Sequence, residues 1–331
     1  MLPLNLLLMK LRRRAEANDP AMLVETFVDV GPLFARLSTP DHQILAGRRG
    51  TGKTHAQYYL AASVLERGDL GIFVDMRRLG STGGLYADNQ IPITERGTRL
   101  LCDTLEHIHD ALVDATLAMH EEHDQTAALS VLDRLADEIA RVVVVGGTTD
   151  AERTTTEEAR TEDGGQLSLG MSPSGPVVTA GLDSRSTRGQ STAETLRHVG
   201  GVATHRVHFG AVTRLIEQLL DALPVDRVWI LLDEWSDVPM ELQPLLADLV
   251  RRALFPVHGV TVKIGAIEHR SNFREVVESG GHLGIEVGAD AAADLDLDDF
   301  MVFGNDAEKA KEFFRELLYR HVRAVMSVEV V

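Results

Sequence analysis

Eight residues limit this chain more than any others. Gly47-Arg48-Arg49-Gly50-Thr51-Gly52-Lys53-Thr54 fits G-x-x-x-x-G-K-[ST] at every fixed position. Glycines in such a loop let the backbone curl until successive N–H groups point inward as an anion nest. A lysine at this position brings a point charge to terminal phosphates, and a threonine hydroxyl beside it is suited to complete the shell of a Mg²⁺ ion. The flanks agree with this reading. Gln43 to Ala46 is an apolar run expected to be a strand, and Lys53 to Leu65 reads as a helix whose positive end faces the same phosphates. The expected cofactor-binding set is Gly47, Arg48, Arg49, Gly50, Thr51, Gly52, Lys53, Thr54 and the adjoining His55. Arg48 and Arg49 carry two readings, as added charge near the phosphates or as solvated loop residues.

A second motif lies far downstream. Val228-Trp229-Ile230-Leu231-Leu232-Asp233-Glu234 is an apolar run closed by two carboxylates. In a parallel sheet a run of this kind is a central strand covered on both faces. Its C-terminal end is where ligands of open α/β sheets bind. Asp233 is expected, with Thr54, to hold the metal. Glu234 is expected to orient or deprotonate the water that attacks the γ-phosphate. An Asp-Glu pair is the equipment of a hydrolase, since a nucleotide switch or a kinase works with the aspartate alone. No Asn-Lys-x-Asp guanine-reading motif occurs, which favours ATP over GTP.

Strands alternate with helices elsewhere, giving an expected α/β fold: a parallel-sheet P-loop core with helices on both faces. Leu70 to Val74 is a strand closed by Asp75. Helices are expected at Thr98–Met119, Ala127–Arg141, Ala211–Leu223, Glu241–Leu254 and Asp306–Met326, with a strand at Thr261–Ile267. From about Gly146 to Gly201 the chain is rich in Thr, Ser, Gly and Glu, and reads as a polar insertion, partly disordered or with a hairpin at Gln166–Ala180. The expected organisation is a leader or small helix at 1–24, the core at 25–300 and a short helical segment at 301–331. The acids Asp294, Asp296, Asp298 and Asp299 lack the glycine and closing glutamate of a calcium loop and read as a solvated acidic turn.

Composition narrows the partners. A formal net charge of -17 argues against a surface generally attractive to nucleic acid or anionic lipid. The single cysteine, Cys102, excludes a disulfide framework and falls in an amphipathic helical pattern that should bury it, consistent with a reducing cytoplasm. Leu2 to Met9 is apolar but precedes its positive charges (Lys10, Arg12, Arg13, Arg14), the reverse of a secretory signal, and is too short to span a bilayer.

Together Gly47–Thr54, Val228–Glu234 and Val262-Lys263-Ile264-Gly265-Ala266-Ile267-Glu268-His269-Arg270-Ser271-Asn272 resemble AAA+ ATPases of the additional-strand class, nearest to the initiator-like, origin-recognition-type branch, which includes ATPases of bacterial defence-associated operons. The resemblance implies a polar sensor residue among Glu268, His269, Ser271 and Asn272. It implies an arginine finger acting across a subunit interface, Arg270 or Arg274, and a lid arginine among Arg315, Arg320 and Arg323. Val28-Asp29-Val30-Gly31 resembles the stretch that packs near adenine in such proteins. The lid looks abbreviated and no winged-helix DNA reader is evident. Three functions follow as expectations. One is an ATP hydrolase, working as a homo-oligomer or on a partner protein. The others are a slow-turnover nucleotide switch or scaffold and a DNA-associated initiator or helper.

Overall fold

The computed structural model describes residues 19–80, 86, 88, 90–119, 125–145, 148–150, 197–199, 202–205, 207–276, 281–301 and 307–328. The apolar leader, Gln166–Ala180 and most of the polar insertion lie outside them. In chain order the elements are α1 (Pro20–Thr26), α2 (Leu33–Leu37), β1 (Gln43–Ala46), α3 (Lys53–Glu66), β2 (Leu70–Asp75), α4 (Met76–Gly80), α5 (Ile93–Ala118), α6 (Thr126–Ile139) and β3 (Val142–Val145). There follow β4 (Thr148–Asp150), β5 (Arg197–Val199), β6 (Val202–His205), α7 (Phe209–Ala222), β7 (Val228–Asp233), α8 (Gln243–Leu254) and β8 (Val260–Gly265). The last are β9 (Arg274–Val276), β10 (His282–Gly284), β11 (Ala292–Asp296), α9 (Leu297–Met301) and α10 (Ala307–Val328).

Two compact units are present. One comprises Met1–Val143 with Thr204–Val331, and the other Val144–Ala203. Within the second, β4 and β5 pair antiparallel. The first is built on a five-stranded sheet of order β11-β1-β8-β7-β2 whose neighbours all run parallel. Strand β8 thus lies between the phosphate-loop strand β1 and the acidic-pair strand β7.

Side chains alternate faces along a strand, so a strand covered on both sides feeds two separate cores. Trp229 and Leu231 of β7 join Leu45, Leu60, Val64 and Leu295 beneath α1, α2 and α3. Ile230 and Leu232 join Ile72, Val262 and Ile264 beneath α5 to α8. Every residue of β7 and β8 is buried, whereas the edge strand β2 alternates buried with half-buried positions. Lys263 of β8 is fully buried and donates to the carbonyls of Thr39 (2.7 Å) and Asp41 (2.9 Å) and to the Gln43 side chain, which pins the approach to β1. Cys102 is buried on α5, as expected, and burial pushes its thiol up to about 11.

The acidic run is where fold and sequence pattern differ most. Ala292–Asp296 is the edge strand β11, with Leu295 fully buried against β1, and Asp298 lies in the first turn of the short helix α9 rather than in a solvated turn. Two boundaries also move. The strand expected at Thr261–Ile267 covers Val260–Gly265 and gives way to a 3-10 turn at Glu268–Arg270. The helix expected from Glu241 begins at Gln243, with Pro244 in its first turn, where proline's missing N–H costs nothing.

Candidate active site

Register brings the C-terminal ends of the parallel strands to one edge of the sheet. Gln43, Ile44 and Leu45 of β1 face Lys263, Ile264 and Gly265 of β8, and Leu232 of β7 faces Ile264. The loop Gly47–Thr54 and the Asp233–Glu234 pair therefore emerge side by side.

Gly50 and Gly52 adopt left-handed backbone (φ 88° and 96°), conformations that cost a residue with a Cβ. Nearby, Thr51 Oγ1 donates to the Arg48 carbonyl at 2.8 Å, closing the turn. Lys53 is buried. Its ammonium donates to the carbonyls of Gly47 (2.8 Å) and Arg48 (3.0 Å), and burial lowers its pKa against the raising influence of Asp233 and Glu234. Thr54 Oγ1 donates to Asp233 Oδ2 at 2.5 Å.

Asp233 is 1% exposed, and desolvation lifts its carboxyl to about 6 despite the Thr54 hydrogen bond. Its second oxygen, Oδ1, is buried and has no side-chain hydrogen-bond donor among the described residues. Gly265 makes room for that oxygen, since a Cβ there would fall 2.5 Å from it and 2.9 Å from Gln57 Nε2. A hydroxyl and a carboxylate meeting this way, with one carboxylate oxygen left over, is an oxygen-donor set suited to Mg²⁺. Glu234 holds left-handed backbone at φ 56°, the one non-glycine residue with positive φ among those described. Such strain persists where surrounding structure over-determines it, and functional sites are where it concentrates.

Beside the loop is a cavity of about 220 Å³, lined by Phe27, Val28, Val30, His55, Phe300, Phe313 and Phe314. Phe27 stacks on Tyr59 with ring centroids 4.2 Å apart. His55 Nε2 lies 2.6 Å from the Leu23 carbonyl, so that nitrogen carries the hydrogen. From α10, Arg320 Nη1 donates to the Phe27 carbonyl at 2.6 Å.

The expected residues thus divide. Gly47 to Thr54, Asp233 and Glu234 are brought together. Arg48 and Arg49 are exposed, and Arg48 is held by Asp298, whose carboxylate accepts from its backbone N–H and from Nε, both at 3.0 Å. Arg270 lies in the turn after β8 with an exposed side chain. Ser271 and Asn272 spend their side chains on that turn, accepting from the backbone N–H of Ile267 and of Arg274. Arg274 pairs with Glu286 across the β9–β10 region. Of the three candidate lid arginines, Arg315 and Arg323 have exposed side chains, and Arg320 reaches the cleft wall. Sequence reasoning missed Asp298 and the buried amide Gln57. A lone acid after an alternating Asp-Leu run and a glutamine one turn past Lys53 were the only traces they left.

Among the described residues no helix is long and apolar enough to cross a membrane. A model of the ORC-CDC6-like family matches residues 12–83, the stretch that carries α1, β1, the phosphate loop and β2, and it stops short of the acidic pair. No curated protein and no solved structure matches the chain. Over its first quarter the chain is similar to ORC-CDC6-like proteins, which supports an AAA+ type of nucleotide-binding core on this α/β fold.

Proposed function

We propose that this chain binds ATP with Mg²⁺ and hydrolyses it, with Glu234 as the base. One observation carries the reading: the hydroxyl of Thr54 and the carboxylate of Asp233 meet at 2.5 Å while Lys53 is buried in the same loop. The N–H groups of Gly50 to Thr54 and the start of α3 receive the phosphates. Lys53 exchanges its two carbonyl partners for phosphate oxygens. Thr54 and Asp233 hold Mg²⁺, which when bound offsets charge on the terminal phosphates. Glu234 takes the proton of the attacking water. The aromatic cleft between Phe27 and Phe313 accepts the base.

Coupling of turnover to a partner or to further copies of the chain fits helix α10, which lines the same cleft and is tied through Arg320 to Phe27, just past the end of α1. Arg270, exposed beyond β8, is suited to reach a neighbouring subunit's nucleotide. The contact of α10 with the cleft also favours a second reading, a slow-turnover switch in which nucleotide sets the position of that helix. Phosphate release by the native chain separates the two.

Lys53→Ala is expected to abolish ATP binding in a direct titration. Unchanged affinity in that variant would remove the nucleotide site from Gly47–Thr54.

A further inference from the structure

Two turns leave the phosphate end of the sheet side by side. The first, Glu234 to Val238, carries the left-handed glutamate. It closes through Asp237 N–H to Glu234 O (2.9 Å) and Val238 N–H to Trp235 O (3.1 Å). The second, Ile267 to Asn272, follows β8. Neither belongs to a strand, so the sheet's own hydrogen bonds do not fix one against the other.

A buried amide joins them through hydrogen bonds. Gln243, fully buried at the start of α8, sends Nε2 toward the carbonyls of Val238 (2.8 Å), Arg270 (3.2 Å) and Trp235 (3.5 Å). Its Oε1 accepts from the Asn272 backbone N–H at 2.6 Å. The amide's orientation is decided by chemistry, since three carbonyls surround the nitrogen and an N–H faces the oxygen. Trp235 adds an apolar contact between the same segments, stacking on Phe273 with centroids 5.3 Å apart at 22°. A glutamine with 0% exposure and four backbone partners in two turns is costly to leave half satisfied, so the two turns move as one or not at all.

We infer that Gln243 is a positioning residue: it locks the turn that aims Glu234 to the turn after β8 that runs from Glu268 to Asn272. Its amide is committed to backbone groups of the two turns. It acts by keeping the strained Glu234 backbone in register with whatever the second turn presents to the terminal phosphate. This rests on the hydrolytic reading above.

The test compares the native full-length chain with Gln243→Leu, which keeps the volume and removes every hydrogen bond. Gln243→Glu serves as a second variant, keeping the acceptor for Asn272 while removing the donors. ATP affinity, turnover and amide hydrogen exchange are measured on each. The expected result is ATP affinity within about threefold of native and turnover down by about 100-fold in the leucine variant, the scale of a small misplacement of a catalytic group. Exchange at 235–238 and at 270–272 is expected to quicken together while 47–54 is unaffected. Native turnover in either folded variant, or parallel losses of binding and turnover, would overturn the inference. If the native chain binds ATP without turnover, the hydrolytic reading fails instead. Exchange then decides the lock alone, and loosening of one turn without the other would refute it.

Discussion

Thr54 donates its hydroxyl hydrogen to Asp233 at 2.5 Å, joining the first turn of α3 to the end of β7 across 179 residues of sequence. The bond does not offset the burial of the carboxylate, whose pKa is lifted from 3.8 to about 6. A carboxyl raised in the folded state stabilises the fold fully below pH 3.8, and that contribution is lost as pH rises through 6. A rise of this size corresponds to a loss of about 3 kcal/mol. Without nucleotide or Mg²⁺, Asp233→Asn is therefore expected to be more stable than the native chain near pH 8, by about 1–3 kcal/mol. The gap should close as pH falls toward 4. Denaturant melts at several pH values check this, and an asparagine variant destabilised equally at both ends would show the carboxylate is not under strain.

Gly265 gives the same carboxylate its space. Gly265→Ala would set a methyl group 2.5 Å from Asp233 Oδ1, where either the carboxylate or β8 must shift. Mg²⁺-dependent turnover is expected to fall by at least about tenfold, the range typical of disturbed metal-site support. A magnesium titration of activity would show it as a raised metal requirement. An unchanged titration curve would mean Asp233 Oδ1 is not a ligand.

The cleft separates packing from binding at two phenylalanines. Phe27 is 6% exposed and stacks on Tyr59, so Phe27→Ala should cost about 3–5 kcal/mol of stability together with nucleotide affinity. Phe314 is 51% exposed, and Phe314→Ala should leave the melting temperature nearly unchanged while weakening ATP several-fold. Equal ATP affinity in native and Phe314→Ala chains would place the base elsewhere.

Much of this arrangement was legible in the sequence because its signals are local. The loop Gly47–Thr54 announces itself by residue type, and β7 by an unbroken apolar run ended by two acids. Strand β11 was hidden because Asp294-Leu295-Asp296 reads as acid first, and only pairing with β1 reveals that Leu295 faces the core. Asp298 seemed solvated for the same reason, although it clamps Arg48 from 250 residues away. Gln243 left no trace, since an amide at the start of an amphipathic helix looks like surface until the turns of β7 and β8 close over it. The sensor and finger residues stayed open for a related cause: Glu268, His269 and Arg270 sit in an exposed turn, where residue type alone does not choose among them.

Glu234→Gln separates ATP binding from hydrolysis, because it keeps the side chain's size and removes its basicity. The native chain with Mg²⁺ is expected to release phosphate from ATP, and the variant to bind ATP as tightly with turnover reduced by about 100-fold or more, the contribution of a positioned base. A variant that hydrolyses ATP at the native rate, or a native chain that binds ATP and releases no phosphate, would contradict the account.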